Sequence, residues 1–349
     1  HSSKISKDLA FKKFFFSTLS GSLLSAVVGL SMVLLGCGVW ALVGQNLVST
    51  IANTIVLLLI VRWRPKRMFS KERFKSLFSY GWKLTASNLM GTFFSQMKGY
   101  AIGLKYTTAD LAYYNRGEGV PGILYNNISS SINTVLFPAL SKLQDDKIAI
   151  RRALSKTMQT ASFVLMPGLL GLAAVSDNFV QIVYTSKWIA VVPFMQVICL
   201  MNCFDLLGAA NIQALKAVGR ADTLLKLEVY KKPLMVTILV ICMFISPLAI
   251  AIGQFFYSLI ALAINAYPNR KYIDYSLKDQ FLDISKSFFS AVVMSLIVYF
   301  LGTLSFNIYL VLILQIFVGI LVYVLLSMRF NKVVYHEVLA LLKHRVLKK

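Results

Sequence analysis

Two lysines, Lys83 and Lys98, fall inside one long apolar stretch over 78–103. Cations at membrane depth are costly, and where they occur they commonly mark the path of an ion or a charged substrate. Fifteen residues apart, the two are separated on a helix by ~60° of rotation and ~22 Å of rise, so they share roughly one face and form a cationic pair able to attract an anionic group. Arg116 and Glu118 stand beside Gly117, Gly119, Pro121 and Gly122 at the mouth of the next apolar stretch, 118–141. That cluster of helix breakers would let a helix bend there. Asp205 falls near the centre of a further stretch, 191–214, where an ionised carboxylate must be paired or hydrated and so should face protein or water. Asn202, Asn211 and Gln213 share its stretch, and Asn126, Asn127, Ser129, Ser130, Ser131 and Asn133 crowd 118–141. Such groups either hydrogen-bond sugar hydroxyls or join helices to one another.

Each of these residues also has a plainer reading. Both lysines lie within about two turns of the end of their stretch, close enough to snorkel to the interface. Arg116 and Glu118 form a local ion pair in a structural turn on this view, the amides serve only as helix glue, and Asp205 has a structural partner in place of a role in proton or cation coupling.

Signals for enzymatic chemistry are lacking. The three histidines (His1, His336, His344) lie in the terminal segments, no GxxxxGK[ST] phosphate loop is present, and no His/Asp/Glu cluster has metal-ligand spacing. No cofactor is indicated. Cys37, Cys199, Cys203 and Cys242 include no CxxC pair, so neither a disulfide framework nor a metal site is expected. Cys199 and Cys203, at i and i+4, read as a buried apolar pair.

The elements that must carry these residues follow from composition. The chain has 349 residues, 57% of them hydrophobic and 14% charged, with mean hydropathy +0.69. That is more apolar side chain than a water-soluble core can enclose. Since ~20 apolar residues cross ~30 Å of hydrocarbon, ten helical spans are expected, over 14–35, 39–61, 78–103, 118–141, 157–175, 191–214, 233–250, 252–268, 287–304 and 309–327. The pair over 233–268 must be a hairpin, turning at Ser246-Pro247 or at Gly253. The net charge of +22 does not read as a nucleic-acid surface, because the 36 Lys and Arg residues sit between apolar runs. On a ten-span count nearly all of them fall on one side, in the N-terminal segment, the 62–77, 142–156, 215–232 and 269–286 connections and the C-terminal tail. Only Lys105, Arg116 and Lys187 fall on the other. The positive-inside rule then puts both ends in the cytoplasm. The outer connections are too short for a soluble domain, which disfavours an enzyme that polymerises or ligates glycans. The sequence opens at His1, and its Lys-rich start runs into an apolar stretch without a small-residue cleavage site, so the stretch reads as a true span in an N-terminally truncated chain.

A short internal repeat is visible: Gly38-Val39-Trp40-Ala41-Leu42-Val43-Gly44-Gln45 matches Pro247-Leu248-Ala249-Ile250-Ala251-Ile252-Gly253-Gln254 in apolar pattern and in the closing Gly-Gln. An even number of spans separates the two, as expected for parallel lobes related by an axis along the membrane normal.

The first of those octapeptides, with Tyr80-Gly81-Trp82-Lys83-Leu84, Asp110-Leu111-Ala112-Tyr113-Tyr114-Asn115-Arg116-Gly117, Val135-Leu136-Phe137-Pro138-Ala139-Leu140-Ser141-Lys142-Leu143-Gln144-Asp145-Asp146 and Asn178-Phe179-Val180 leading to Lys187-Trp188, resembles the polysaccharide exporter branch of the multidrug/oligosaccharidyl-lipid/polysaccharide transporter superfamily. The order and spacing of these stretches match as well, and the likeness is greatest to exporters of lipopolysaccharide, teichuronic acid or colanic-acid-type polymers. The resemblance implies an all-α, two-lobed, fourteen-helix flippase lacking its first four helices. It divides the chain into 1–62 (two helices of the N-terminal lobe), 63–77 (a basic interlobe linker), 78–268 (a six-helix C-terminal lobe) and 269–349 (an extra helix pair and basic tail). It further implies a multi-pass protein of the bacterial cytoplasmic membrane that moves a polyprenyl-diphosphate-linked glycan. Lys83, Lys98 and Arg116 would attract the anionic head group, Asp205, Glu118 and Asn202 would serve coupling or line the cavity, and membrane lipids and other polysaccharide assembly proteins would be the partners. A cation-coupled multidrug extruder of the same superfamily is the nearest alternative.

Overall fold

A computed structural model describes residues 11–60, 70–143, 146–304 and 306–346. Among them are eleven α-helices and no strand: α1 (Phe11–Leu34), α2 (Trp40–Ile60), α3 (Lys71–Lys105), α4 (Thr108–Ser141), α5 (Lys147–Val183), α6 (Val192–Ala217), α7 (Ala221–Met243), α8 (Pro247–Ile273), α9 (Leu277–Leu301), α10 (Ile308–Phe330) and α11 (Lys332–Val346). A 3-10 turn, Ser186–Val191, leads into α6. A helix lies over the described part of each of the ten apolar stretches. Among the described residues, seven segments are long and apolar enough to cross a membrane: Phe16–Leu34, Trp40–Leu59, Lys147–Val183, Ser186–Ala217, Pro247–Ile273, Leu277–Leu301 and Ile308–Phe330. Length and composition do not carry the count to ten, because polar and charged residues dilute α3, α4 and α7. The chain is an all-helical, multi-pass membrane protein, and its outer surface carries apolar side chains such as Leu310, Phe317 and Ile320 in the open.

Several boundaries differ from the sequence reading, for one physical reason. Hydropathy detects the part of a helix that matches the hydrocarbon, whereas Lys, Arg and Glu are good helix formers outside it. Most of the supposed connections over 142–156, 215–232 and 269–286 are therefore helix. The 37 residues of α5 would reach about 55 Å, well beyond the hydrocarbon thickness. The Gly117–Gly122 region likewise lies inside α4, not at its start, and the helix passes through it unbroken. Of the two turns offered for the hairpin, the chain takes Ser246-Pro247. The Ser246 hydroxyl accepts from the Ala249 amide, and Pro247 occupies the first helical position. Thr107 with Asp110, and Ser276 with Asp279, form reciprocal capping boxes that set the starts of α4 and α9.

The chain forms two compact units, His1–Ser87 and Asn88–Lys349. In the first, α1 packs on α2 and the Ser17 hydroxyl donates to the Asn53 carbonyl at 2.9 Å. The repeat has one packing meaning in each unit. A Cβ on Gly44 would strike the Met32 sulfur of α1, and one on Gly253 would strike the Cys242 sulfur of α7, so each glycine lets its helix close on the one before.

In the second unit α5 is the central post. Leu154, Met158, Leu165, Met166 and Leu169 are almost wholly buried where α5 packs against α9 and α6. Polar groups link these helices. The Asn211 amide donates to Gln280 Oε1 (2.8 Å) and accepts from Gln280 Nε2 (3.0 Å) and Asn269 Nδ2 (2.6 Å), all three side chains being inaccessible. Asp283 accepts from the hydroxyls of Ser155 and Tyr275 at 2.6 Å each and from Gln159 Nε2 at 2.9 Å. Burial first, then the Asp283 carboxylate, pushes the Tyr275 phenol above its ordinary range, so it stays a donor. Replacing Asn211 with alanine leaves the Gln280 and Asn269 amides short of a partner, and should cost about 1–3 kcal/mol. Thermal unfolding in detergent should show this as a lower Tm, and an unchanged Tm would mean that the amide triad carries no stability.

Candidate functional site

The floor of the candidate site is a small apolar cluster that draws five helices together. Ala101 and Ile102 of α3, Tyr114 of α4, Phe194 and Ile198 of α6, Leu239 of α7 and Ile250 and Ala251 of α8 are buried against one another. The Tyr106 hydroxyl at the end of α3 donates to the Met243 carbonyl at the end of α7 (2.9 Å). α4 reaches α6 closely because position 117 is glycine: a Cβ there would lie 2.7 Å from the Phe194 Cβ and 3.1 Å from the Met195 nitrogen.

Lys98 lies one turn before Ile102 on α3, on the same face. Its ammonium is 2.6 Å from Glu118 Oε1 and 5.4 Å from the centroid of the Tyr114 ring. Tyr114 and Glu118 are i and i+4 on α4, so one face of that helix supplies both an aromatic wall and a counter-charge. The lysine side chain is 22% exposed, enough to keep one side open to a cavity of about 200 Å³ that it lines with Phe94, Asp205, Gln254 and Tyr257 among others. Asp205 stands two turns beyond Ile198 on α6, and its Oδ1 accepts from the buried Ser258 hydroxyl of α8. The acid inside the hydrophobic stretch therefore has a protein partner and borders a polar space. Asn202 is buried one turn earlier on the same helix.

Arg116 stands apart from this group. Two positions before Glu118, it projects from another side of α4, and its guanidinium carbon lies 5.9 Å from the Tyr184 ring and 5.7 Å from the Trp188 ring. Glu118 pairs with Lys98, and the expected Arg116–Glu118 ion pair is not formed. The Lys83 side chain lies outside the described residues. Of the other polar residues, Asn211 serves as helix glue, and Gln213 donates to Asn133 Oδ1 at 2.8 Å, joining α6 to α4.

Sequence reasoning overlooked a second charged group. Glu228 on α7 pairs with Lys231 (2.5 Å) and Lys232 (3.5 Å). Lys231 is nearly buried, and the Lys232 ammonium lies 4.9 Å from the ring of the cavity-lining Phe94. Reading 215–232 as a connection hid these residues. The i, i+3 and i, i+4 spacing of Glu228, Lys231 and Lys232 was the available signal that helix continued through them. The cavity thus combines a cation held by a carboxylate, a hydrogen-bonded acid, and amide and phenol donors. Such a wall can exchange one anionic partner of Lys98 for another.

Residues 1–193 match the family described as polysaccharide biosynthesis protein. The lipopolysaccharide biosynthesis protein WzxC of Escherichia coli is 25% identical over 241 residues, which is 67% of this chain and 48% of that protein. The teichuronic acid biosynthesis protein TuaB of Bacillus subtilis is 29% identical over 161 residues, 46% of this chain and 33% of that one. The chain thus matches about half the length, or less, of these curated relatives. Among solved structures, the lipid II flippase MurJ in its inward closed conformation aligns over 93% of this chain and 69% of its own, with TM-score 0.70 and 18% identity, which shows a shared helical fold.

The Lys98–Glu118 pair is open to a direct test. A double-mutant cycle with Lys98→Ala and Glu118→Ala should give a coupling energy of about 0.5–3 kcal/mol in thermal unfolding. Strict additivity of the two single effects would contradict the pair.

Proposed function

The chain belongs to the polysaccharide biosynthesis protein family, and from that membership we propose that it forms most of a flippase carrying polyprenyl-diphosphate-linked oligosaccharides from the cytoplasmic to the outer leaflet of a bacterial cytoplasmic membrane. Lys98 supports the reading most directly. It is a cation open to a cavity and paired with the Glu118 carboxylate. A diphosphate offers two adjacent anionic centres, and charge-assisted contacts to such groups are among the strongest available to an ammonium. In the empty carrier Glu118 holds Lys98, so that an isolated charge is never buried. An arriving diphosphate displaces Glu118 and takes its place. Gln254, Tyr257 and Asn202 supply donors and acceptors for the first sugars, Asp205 serves the coupling step, and Arg116 and Lys83 add positive potential. Ten spans with both ends in the cytoplasm remain our topology, divided into lobes as the resemblance implies.

One observation favours the drug-extruder alternative: Asp205, Phe94 and Tyr257 give the cavity acidic and aromatic groups of the kind that hold organic cations. A cellular assay separates the two. The gene's intact product, expressed in a bacterium lacking its own flippase, is expected to restore surface polysaccharide. Lys98→Ala should abolish rescue at equal membrane abundance, and Lys98→Arg should retain most of it. Full rescue by Lys98→Ala would remove Lys98 from the mechanism. Failure of the unsubstituted protein together with resistance to cationic dyes would favour the extruder.

A further inference from the structure

A second cavity, larger than the first, lies along the α7–α8 hairpin. It is a groove of about 990 Å³. On α8 its wall runs from Ile260 and Ile264 to Tyr267, and α7 adds Tyr230, both tyrosine rings being exposed. Three cations line it, Lys226 from α7 and Arg270 and Lys271 from the last turn of α8. Among the described residues none of the three makes an ion pair, and all three are exposed. Along α8 the wall therefore passes from aliphatic side chains through a tyrosine to positive charge. That is the order a glycerolipid presents from acyl chain to headgroup, and tyrosines concentrate at that interfacial depth.

We propose that this groove holds an anionic phospholipid of the cytoplasmic leaflet, with its acyl chain along the α7–α8 seam and its phosphate under Lys226, Arg270 and Lys271. Charge complementarity selects the occupant. A zwitterionic lipid gains less than an anionic one at a site with three cations that form no ion pair, because an anionic headgroup adds net attraction to each of them. The basic end is the one that the positive-inside rule assigns to the cytoplasm, where anionic headgroups meet it. The site is separate from the Lys98 cavity and does not depend on the transport reading.

Native mass spectrometry on the full-length protein, equilibrated in mixed micelles of phosphatidylglycerol and phosphatidylcholine, reads the proposal. Phosphatidylglycerol should be retained in preference. The triple variant Lys226→Gln/Arg270→Gln/Lys271→Gln should lower that retention about tenfold or more, while Lys142→Gln/Lys147→Gln/Lys332→Gln, with the same loss of charge elsewhere, should change it less than about twofold. The single exposed change Lys226→Gln, which does not threaten folding, should show part of the effect. Equal retention of the two lipids, or equal behaviour of the two triple variants, would overturn the proposal. Displacement of phosphatidylglycerol by undecaprenyl diphosphate would overturn it as well, by assigning the groove to a polyprenyl carrier.

Discussion

Hydrocarbon offers no hydrogen bonds, so a polar group carried into the membrane is costly unless the protein itself supplies its partner. The constraint orders the structure. Asn211 bonds to Gln280 and to the Asn269 Nδ2, Asp283 collects three donors from α5 and the α8–α9 turn, and Asp205 takes the Ser258 hydroxyl. Each contact crosses between helices, so meeting the demand also fixes helix position. Lys98 meets it differently. Its partner, Glu118, leaves one side of the lysine facing a cavity. A pair of that kind can be exchanged, whereas the amide triad, with no accessible surface, cannot.

The same constraint explains what a transporter gains from the arrangement. A cation left alone in a low-dielectric cavity is costly, and a cation locked into a fully buried pair is unavailable to substrate. A half-open pair with a tyrosine ring beside it lies between these limits. Close packing at Gly117 and around Ile102 and Ile198 draws the helices that carry the pair together, so that in the proposed mechanism a diphosphate takes the place of one carboxylate without rebuilding the cavity.

Much of this was legible in the sequence where the signal is local. The Ser246-Pro247 turn, one of two offered, and the apolar stretches sit within a few residues of what they determine, whereas the capping boxes at 107–110 and 276–279 went unread. Hydropathy missed the extramembrane ends of α5 and α7, because charged residues continue a helix as readily as they end a span. Long-range partners were harder. Glu118 stands twenty residues from Lys98, with the turn between α3 and α4 intervening, and the local reading assigned it to Arg116, two positions away. Helix geometry argues against that choice, since i and i+2 point to different sides. Glu228 and its lysines were hidden because a charge-rich segment was taken for a connection.

The central claim is that a lipid-linked diphosphate crosses the bilayer by way of Lys98. It is tested most directly in proteoliposomes bearing the intact gene product, by following a fluorescent polyprenyl-diphosphate oligosaccharide from the inner to the outer leaflet. The account predicts saturable transfer well above protein-free vesicles, inhibited by added pyrophosphate, lost in Lys98→Gln and retained in Lys98→Arg. Transfer that matches protein-free vesicles, or that proceeds equally in Lys98→Gln, would contradict it.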